Sequence, residues 1–419
     1  MSLSYCGHFY PARVELCELI HNGRAWAEPV TEDIYSNLKA YIFTEKGKIE
    51  LGDIEEPTID NASEEDRCSA ILKPRYLSPC SSDVHTVYAG DGPRREGLVL
   101  GHEGLAEVVE VGADVTDFKP GDLVAVSAVM PEPGDLTGHK GMPFSGTKLG
   151  RNINGMWSEL FKIPEADMNL ALVPEDVSLE AALMAVDMMA TGYTAASEAL
   201  IEPGHTICVI GSGAVGLMAA SAAKRMTGDD GQVLMIGSTK DAVNATLADE
   251  FGVDSYISYS DGKTVFNHKP ERAVPYPARD KRANSTQSKA VDSVFELTGG
   301  YGADSVLICG GGAESFARGA DMARYGTGIV VNVSYIEGSG MVGLPIFSLG
   351  RGMSGKTFKF ELSRGGRDWL EAMLDEAYRC ESMQGDLVTT KLKGFEAIPE
   401  ALRLMHERPA GTVKIMVEI

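Results

Sequence analysis

The sequence predicts an α/β protein that combines a doubly wound parallel sheet with a second, β-rich domain. A β-branched, apolar run at Thr206–Ile210 leads directly into a glycine-rich turn and then a helical segment, which is typical of a parallel-sheet unit. Strand-like and helical runs then alternate to about residue 344. Between residues 38 and 163, in contrast, short apolar runs are separated by Gly, Pro and Asp, as in a compact, barrel-like β domain.

Length and composition narrow the class of protein. The 419 residues, 44% of them hydrophobic, suffice for two domains with cores of their own. The 60 acidic and 38 basic residues give a net charge of −22, which repels nucleic acid. Seven scattered cysteines, an odd number, are typical of reduced thiols. Because no apolar run reaches the roughly 18 to 20 residues of a membrane span, we expect a cytoplasmic protein without nucleic-acid or membrane partners.

A cysteine, a histidine and two carboxylates are candidate metal ligands. Cys80 lies in a polar loop after a strand-like run, and His102 and Glu103 lie at a bend flanked by glycines. Asp187 lies in an apolar helical run, where burial of an unpaired carboxylate costs several kcal/mol unless a partner offsets it. Zinc accepts all three ligand types, and three protein ligands with one exchangeable position are typical of a catalytic site. The sequence therefore predicts a zinc enzyme.

The glycine-rich turn predicts where a dinucleotide binds. It follows the strand-like run at 206–210 and precedes a helical run at 217–225. Glycines let the backbone turn tightly and approach a pyrophosphate, which then lies at the positive N-terminus of the helix. A G-x-G-x-x-G motif between a strand and a helix is a specific signal for a Rossmann cofactor domain. The predicted cofactor contacts are Gly211, Gly213, Ala214, Val215 and Gly216.

The end of the next strand-like run indicates which dinucleotide is preferred. An NAD-specific fold usually places Asp or Glu here to bind the ribose hydroxyl groups. This chain instead has the small, neutral Ser238 and Thr239 followed by Lys240, which leaves room for a 2′-phosphate and can hydrogen-bond to it. We therefore expect NADP(H) to be preferred, with NAD(H) still possible.

Several motifs in the same order resemble the zinc-containing medium-chain dehydrogenase/reductase superfamily, and most closely its NADP-dependent secondary alcohol dehydrogenases. They are CSSDVH at 80–85, GHE at 101–103, the stretch 108–122, ADMNLALVP at 166–174 and VDMMATGY at 186–193. The resemblance implies a GroES-like catalytic domain and a Rossmann domain. It also implies a hydride transfer between NADP(H) and a secondary alcohol, ketone or aldehyde, and a homotetramer.

Carried over to this sequence, the resemblance assigns roles to individual residues. It makes Cys80, His102 and Asp187 the zinc ligands and Glu103 an exchangeable fourth ligand. Ser82 accepts the proton of the alcohol, and His85 relays it to solvent. Tyr259 matches a tyrosine of the 2′-phosphate pocket, but the family's arginine is replaced by Thr239 or Lys240. No structural zinc is expected, because no cysteine lies between Cys80 and Cys208.

The same patterns divide the chain into four predicted parts. They are an N-terminal extension at 1–37, the catalytic domain at 38–190, the cofactor domain at 191–344 and a return to the catalytic domain at 345–419. A basic, proline-containing insertion at 268–289 is expected to be a solvated surface loop.

Two alternatives to this function remain open. The loop Pro131–Asp135 lacks the aromatic pocket residue of the secondary alcohol dehydrogenases, so Trp157 or Phe144 is a candidate replacement. The altered loop also leaves open a polyol, amino-alcohol or larger hydroxy compound as substrate. An alternative of another class is a non-catalytic cofactor-binding or assembly protein that uses the N-terminal extension and the insertion.

Overall fold

The computed structural model describes residues 38–89, 96–131, 149–239, 242–269, 286–336, 341–379 and 387–419. Residues 37–419 form one compact unit. The predictions for the N-terminal extension, for residues 132–135, for Phe144, for Lys240 and for the middle of the insertion, 270–285, lie outside the described residues.

The described chain alternates between two large β-sheets and the helices that cover them. The strands are β1 Leu38–Glu45, β2 Lys48–Ile54, β3 Ala70–Ser78, β4 Glu103–Val111, β5 Leu123–Val126, β6 Phe161–Ile163, β7 Leu170–Leu172, β8 Thr206–Ile210, β9 Gln232–Gly237, β10 Ser255–Ser258, β11 Thr264–Asn267, β12 Ser305–Ile308, β13 Ile329–Asn332, β14 Thr357–Phe360, β15 Val388–Lys393 and β16 Lys414–Glu418.

The helices are α1 Glu64–Arg67, α2 Ser81–Val84, α3 Ala166–Asn169, α4 Leu179–Met184, α5 Ala190–Glu198, α6 Ala214–Thr227, α7 Ala242–Glu250, α8 Lys289–Leu297, α9 Glu314–Met322, α10 Arg367–Arg379 and α11 Ile398–Glu407. Two π-helical turns, His85–Ala89 and Ala185–Met189, follow α2 and α4. Short 3₁₀ turns lie at Gly350–Gly352 and Phe395–Ala397. No described helix is long and apolar enough to cross a membrane.

One sheet has the predicted doubly wound order. Its six parallel strands lie in the order β10-β9-β8-β12-β13-β14, and β11 pairs antiparallel with β10 at the edge. The strands β8, β9, β10 and β12 are buried along their whole length, as expected where helices cover both faces of a parallel sheet. The strand order reverses between β8 and β12, which is where such sheets open a crevice for a ligand.

This parallel sheet extends beyond the predicted boundary at residue 344. The last strand, β14, pairs parallel with β13, with Thr357 opposite Ile329. The predicted return to the catalytic domain at residue 345 is therefore too early. The strand is short and each of its residues is at least partly exposed, so it lacks the apolar run that marks the other parallel strands in the sequence.

The second sheet forms the β-rich domain, with the strand order β15-β16-β3-β4-β5-β7 and with β6 paired to β3. The hairpin β1–β2 pairs antiparallel, as predicted from its turn at Lys46-Gly47. The last strand, β16, pairs with β3, so the C-terminus returns to this sheet as expected. Because these strands are antiparallel neighbours, the end of β3, the start of β4 and the start of β16 lie at the same end of the sheet.

Trp157 belongs to the core of the β-rich domain. Its side chain is buried, and a Cβ atom added at Gly101 would lie 2.3 Å from its Cδ1 atom. The indole therefore packs directly behind the bend that precedes His102 and requires a glycine there. Trp157 thus supports this bend, and its place in the wall of a substrate pocket stays a prediction.

Candidate metal centre and cofactor site

Four secondary-structure elements position the candidate metal ligands. Cys80 follows β3 and is the N-cap of α2, whereas Glu103 is the first residue of β4 and lies opposite Ser78 across the antiparallel pair. Gly101 has a φ angle of 90°, a left-handed conformation that favours glycine and bends the chain just before His102. Asp187 occupies the π-helical turn between α4 and α5. Such a turn inserts one residue into a helix and is frequent at functional sites.

These elements bring the four predicted ligands together. One ligand atom from each of Cys80, His102, Glu103 and Asp187 lies within 4.8 Å of all the others. The Cys80 Sγ atom is 3.5 Å from Asp187 Oδ2, and His102 Nε2 is 3.9 Å from the same oxygen. Cys80, Glu103 and Asp187 are buried, and His102 is largely covered. The structure therefore forms the constellation that the sequence predicted.

Two further side chains orient the cluster. Asp83 Oδ2 accepts a hydrogen bond of 2.9 Å from the backbone N–H of Cys80, and Asp83 Oδ1 is 3.3 Å from His102 Nδ1. The Thr191 hydroxyl donates a hydrogen bond of 2.9 Å to Asp187 Oδ1. A carboxylate on Nδ1 fixes the imidazole so that Nε2 faces the cluster, which is a common arrangement behind metal-binding histidines.

Lys414 is the residue of this site that sequence reasoning missed. It is the first residue of β16, and its side chain is completely buried. Its Nζ atom donates hydrogen bonds of 2.9 Å to Glu103 Oε1 and 3.0 Å to the carbonyl oxygen of Pro79. The available signal was a lysine directly before the apolar run Ile415–Val417 of this strand. That signal does not identify the partner, which lies 311 residues away in the sequence.

The buried charges strongly perturb one another. Burial, together with the nearby Glu103 and Asp187 carboxylates, raises the pKa of the Cys80 thiol to about 11. Burial also raises the pKa of the Glu103 carboxyl to about 7, against the attraction of Lys414. Burial opposes the charged form of His102, but Asp83 outweighs it and raises the pKa of the imidazole well above its usual value.

A divalent cation fits this set of groups. Glu103 Oε2 is buried and lies 2.7 Å from Lys414 Nζ, but without the geometry of a hydrogen bond. The cluster also combines a thiol with two carboxyl groups, all of which ionise more readily beside a dication. Sulfur, nitrogen and carboxylate oxygen are zinc ligands, so the donor set matches zinc.

The two predicted relay residues, Ser82 and His85, lie on α2 and on the π-helical turn that follows it. The Ser82 Oγ atom is 3.2 Å from His102 Nε2, so its hydroxyl group lies directly against the metal cluster. His85 starts the π-helical turn after α2, and its ring is 5.2 Å from the ring of Tyr335, which follows β13 of the parallel sheet. Ser82 therefore lies at the cluster, and His85 lies where the two sheets approach each other.

The glycine-rich turn has the geometry of a pyrophosphate site. Gly211 has a φ angle of 109°, and a Cβ atom at Gly216 would lie 1.9 Å from the carbonyl oxygen of Gly211. Gly213 is the N-cap of α6 without a capping side chain, and a Cβ atom at Gly213 would meet no atom within 4 Å. The turn is therefore tight, the helix packs closely, and open space faces the first N–H groups of α6 at Ala214 and Val215.

The adenosine end of the crevice includes residues that the sequence did not indicate. Ser238 and Thr239 follow β9, and their uncharged side chains are exposed. They are therefore accessible to a 2′-phosphate and do not repel it. The Tyr259 hydroxyl donates a hydrogen bond of 3.0 Å to Glu314 Oε1, and the Arg318 guanidinium lies 4.3 Å from the centre of the Tyr259 ring. Both new residues belong to α9, which follows β12.

Relatives with established names match most of the chain. The chain is 36% identical over 354 residues to the NADP-dependent isopropanol dehydrogenase of Clostridium beijerinckii, a match that covers 83% of this chain and 92% of that protein. It is 35% identical, with the same coverage, to the enzyme of the same name from Thermoanaerobacter brockii. A family model, the alcohol dehydrogenase GroES-like domain, matches residues 67–175, which include Cys80, His102 and Glu103.

Solved structures share the fold. The alcohol dehydrogenase TADH from Thermus sp. ATN1 superposes with a TM-score of 0.71 at 23% identity, over 91% of this chain and 99% of that one. The 2R,3R-butanediol dehydrogenase of Bacillus subtilis superposes with a TM-score of 0.68 at 21% identity, with the same coverage. The predicted combination of a GroES-like domain and a Rossmann domain is confirmed.

The buried pair of Lys414 and Glu103 leads to a stability prediction. In protein treated with a chelator, Lys414→Met should lower the free energy of unfolding by about 3–5 kcal/mol, because it removes the ammonium group that pairs with the buried Glu103 carboxylate. Urea unfolding of the full chain measures this change. In a double variant with Glu103→Gln most of the loss should be recovered.

The matched control is the exposed pair of Lys393 and Glu418, which are 2.8 Å apart. Removal of an exposed partner typically changes stability by about 0–1 kcal/mol, so Lys393→Met should have a small effect. Equal losses for Lys414→Met and Lys393→Met would show that burial of the first pair has no energetic consequence.

Proposed function

Because the chain belongs to the zinc-containing medium-chain dehydrogenase/reductase superfamily and to its NADP-dependent secondary alcohol dehydrogenases, we propose that it transfers hydride between NADP(H) and a secondary alcohol or ketone. The observation that carries this proposal is the buried cluster of a thiol, an imidazole and two carboxyl groups within 4.8 Å of one another. The cluster lies beside Ser82, whose hydroxyl group can take a proton from an alcohol.

The proposed roles follow from the contacts of each residue. Cys80, His102 and Asp187 hold zinc, and Glu103 is an exchangeable fourth ligand. When bound, zinc supplies a Lewis acid to an alcohol or carbonyl oxygen, and the nicotinamide of NADP(H) supplies or accepts the hydride. Lys414 gives the Glu103 carboxylate an alternative partner, since its ammonium group already donates to Oε1.

The surrounding residues orient the reacting groups. Asp83 holds Nδ1 of His102, so Nε2 remains directed at the cluster. The turn from Gly211 to Gly216 and the first N–H groups of α6 bind the pyrophosphate of the cofactor. The reversal of strand order between β8 and β12 leaves a crevice at this point, and Tyr335 after β13 brings the parallel sheet to within ring contact of His85.

The choice of substrate depends on the altered loop that begins at Pro131. Pro131 is buried, and a Cβ atom at Gly366 would lie 2.8 Å from its Cγ atom, so the start of the altered loop is anchored in the body of the protein. Phe144, the other candidate for the aromatic replacement, lies outside the described residues. Larger hydroxy compounds therefore remain alternatives to short ketones.

Oxidation of NADPH with a panel of short ketones, aldehydes and larger keto compounds tests the function directly. We expect turnover of ketones with NADPH, less turnover with NADH, and loss of activity when a chelator removes zinc. Restoration of activity by added zinc is the control for irreversible damage. Zinc-loaded protein that turns over none of these compounds would contradict the proposal.

Ser82→Ala tests the proton-transfer role. Positioned acid–base groups contribute roughly 10²–10⁴-fold, so kcat should fall by about 100-fold or more while zinc content and NADPH binding are unchanged. Ser82→Thr keeps a hydroxyl group and should retain activity. His85→Asn should instead alter the pH profile of kcat, because it removes the group that exchanges the proton with solvent.

Ser81 provides a matched control for Ser82. Its hydroxyl group accepts a hydrogen bond of 2.8 Å from Arg408 Nη2. Ser81→Ala should therefore leave kcat nearly unchanged. A Ser82→Ala variant that turns over as fast as Ser81→Ala would rule out the proton-transfer role.

We also propose that the protein is a cytoplasmic homotetramer. The edge of the parallel sheet supports association, because β14 is its last described strand and large apolar side chains are exposed beside it, namely Ile346, Phe347, Met353 and Phe360. Light scattering of the full chain should give about four times the chain mass of 44.8 kDa. Met353→Glu should lower that mass, and a monomeric wild-type protein would contradict the proposal.

A further inference from the structure

The 2′-phosphate of NADP(H) needs a positive partner that the strand end after β9 does not provide among the described residues. Ser238 and Thr239 have hydroxyl groups but no charge. Charge-assisted hydrogen bonds to phosphate are roughly twice as strong as neutral ones, and arginine suits phosphate because its donors form a rigid, planar fork. Lys240, the next residue in the sequence, lies outside the described residues, so among the described residues a cation at this site must come from another element.

Tyr259 connects the strand end to a second element. The strands β9 and β10 run parallel with Gly237 opposite Ser258, and the N–H of Tyr259 donates a hydrogen bond of 2.8 Å to the carbonyl oxygen of Gly237. The hydroxyl groups of Thr239 and Ser258 are 3.4 Å apart. Tyr259 therefore lies at the same carboxyl end of the parallel sheet as Ser238 and Thr239.

The Arg318 side chain extends from α9 over the Tyr259 ring. The guanidinium carbon is 4.3 Å from the ring centre, which is within the range of a cation–π contact. The Nη1 atom is buried and has no hydrogen-bond partner among the described residues. A buried donor without a partner is energetically unfavourable, so a ligand oxygen that paired with this guanidinium would relieve an existing penalty.

Glu314 explains why Arg318 is not already neutralised. It lies one helical turn before Arg318 on α9, but its Oε1 atom accepts the hydrogen bond of the Tyr259 hydroxyl. Among the described residues, the Arg318 guanidinium contacts the Tyr259 ring. Arg318 nevertheless contributes to the lowered pKa of the Glu314 carboxyl, after a backbone hydrogen bond and the bond from Tyr259. The two charges are therefore neighbours with different partners.

We propose that Arg318 recognises the 2′-phosphate of NADP(H), in place of the arginine that is missing at the end of β9. Tyr259 holds the guanidinium above the sheet edge, and Ser238 and Thr239 supply neutral donors to the same phosphate. Glu314 weakens the site, because its carboxylate repels a phosphate. This inference rests on the proposed use of NADP(H). It means that residues of α9 determine the preference for NADP(H) over NAD(H).

Direct binding tests the assignment without turnover. The dissociation constants of NADPH, NADH, 2′,5′-ADP and 5′-AMP are measured by calorimetry with the full-length, zinc-loaded protein and with Arg318→Leu. Loss of one charged hydrogen-bond partner is worth roughly 1.5–3 kcal/mol, so NADPH and 2′,5′-ADP should bind about 10- to 100-fold more weakly. NADH and 5′-AMP, which lack the 2′-phosphate, should bind as before.

Three further variants separate recognition from packing. Arg318→Lys keeps a charge and should retain part of the preference. Thr239→Arg, added to Arg318→Leu, restores a cation at the strand end and should recover the binding of 2′,5′-ADP. Glu314→Gln should strengthen 2′,5′-ADP binding several-fold, because it removes a repelling charge and keeps an acceptor for Tyr259.

The pattern across ligands decides the outcome. A loss confined to the two ligands with a 2′-phosphate supports the assignment, whether or not any ketone is turned over. Equal weakening of all four ligands would reduce Arg318 to a packing residue. Unchanged binding of 2′,5′-ADP in Arg318→Leu, with the thermal unfolding curve also unchanged, would overturn the inference.

Discussion

The need to compensate several buried ionisable groups at one point constrains the whole structure. A thiol, an imidazole and the carboxyl groups of Glu103 and Asp187 lie together where water is largely excluded. Each of them alone would be costly to bury. Lys414 on one side and Asp83 on the other supply compensating charges, and a divalent cation completes the balance. The C-terminal strand therefore contributes directly to the chemistry of the site.

Each of the two sheets positions some of these groups. The antiparallel pairing of β3, β4 and β16 fixes Cys80, Glu103 and Lys414 at one end of the sheet. Backbone hydrogen bonds therefore set the spacing of these three residues. Asp187 comes from the helical segment that leads into the parallel sheet. The π-helical turn at this residue changes the direction of the helical surface locally, so that the carboxylate joins groups from the β-rich sheet.

The two ends of the cofactor crevice differ in how much they depend on distant contacts. The pyrophosphate end is local, because a tight turn and one helix N-terminus provide the site within a few residues. The adenosine end is assembled from β9, β10 and α9, and its only described arginine in contact with Tyr259 comes from α9. Cofactor preference can therefore shift between elements without any change in the glycine-rich turn.

The sequence by itself determined the α/β class, the glycine-rich turn, the hairpin and the four metal-ligand candidates, since each depends on local pattern or on distinctive residue types. The partnership of Lys414 with Glu103, the membership of β14 in the parallel sheet, the core position of Trp157 and the contact of Arg318 with Tyr259 required the tertiary structure. The physical reason is that each of these depends on which distant backbone segments pair or pack. A lysine in an apolar strand or an arginine on a helix has the same local pattern whether its partner is solvent, a carboxylate or a phosphate.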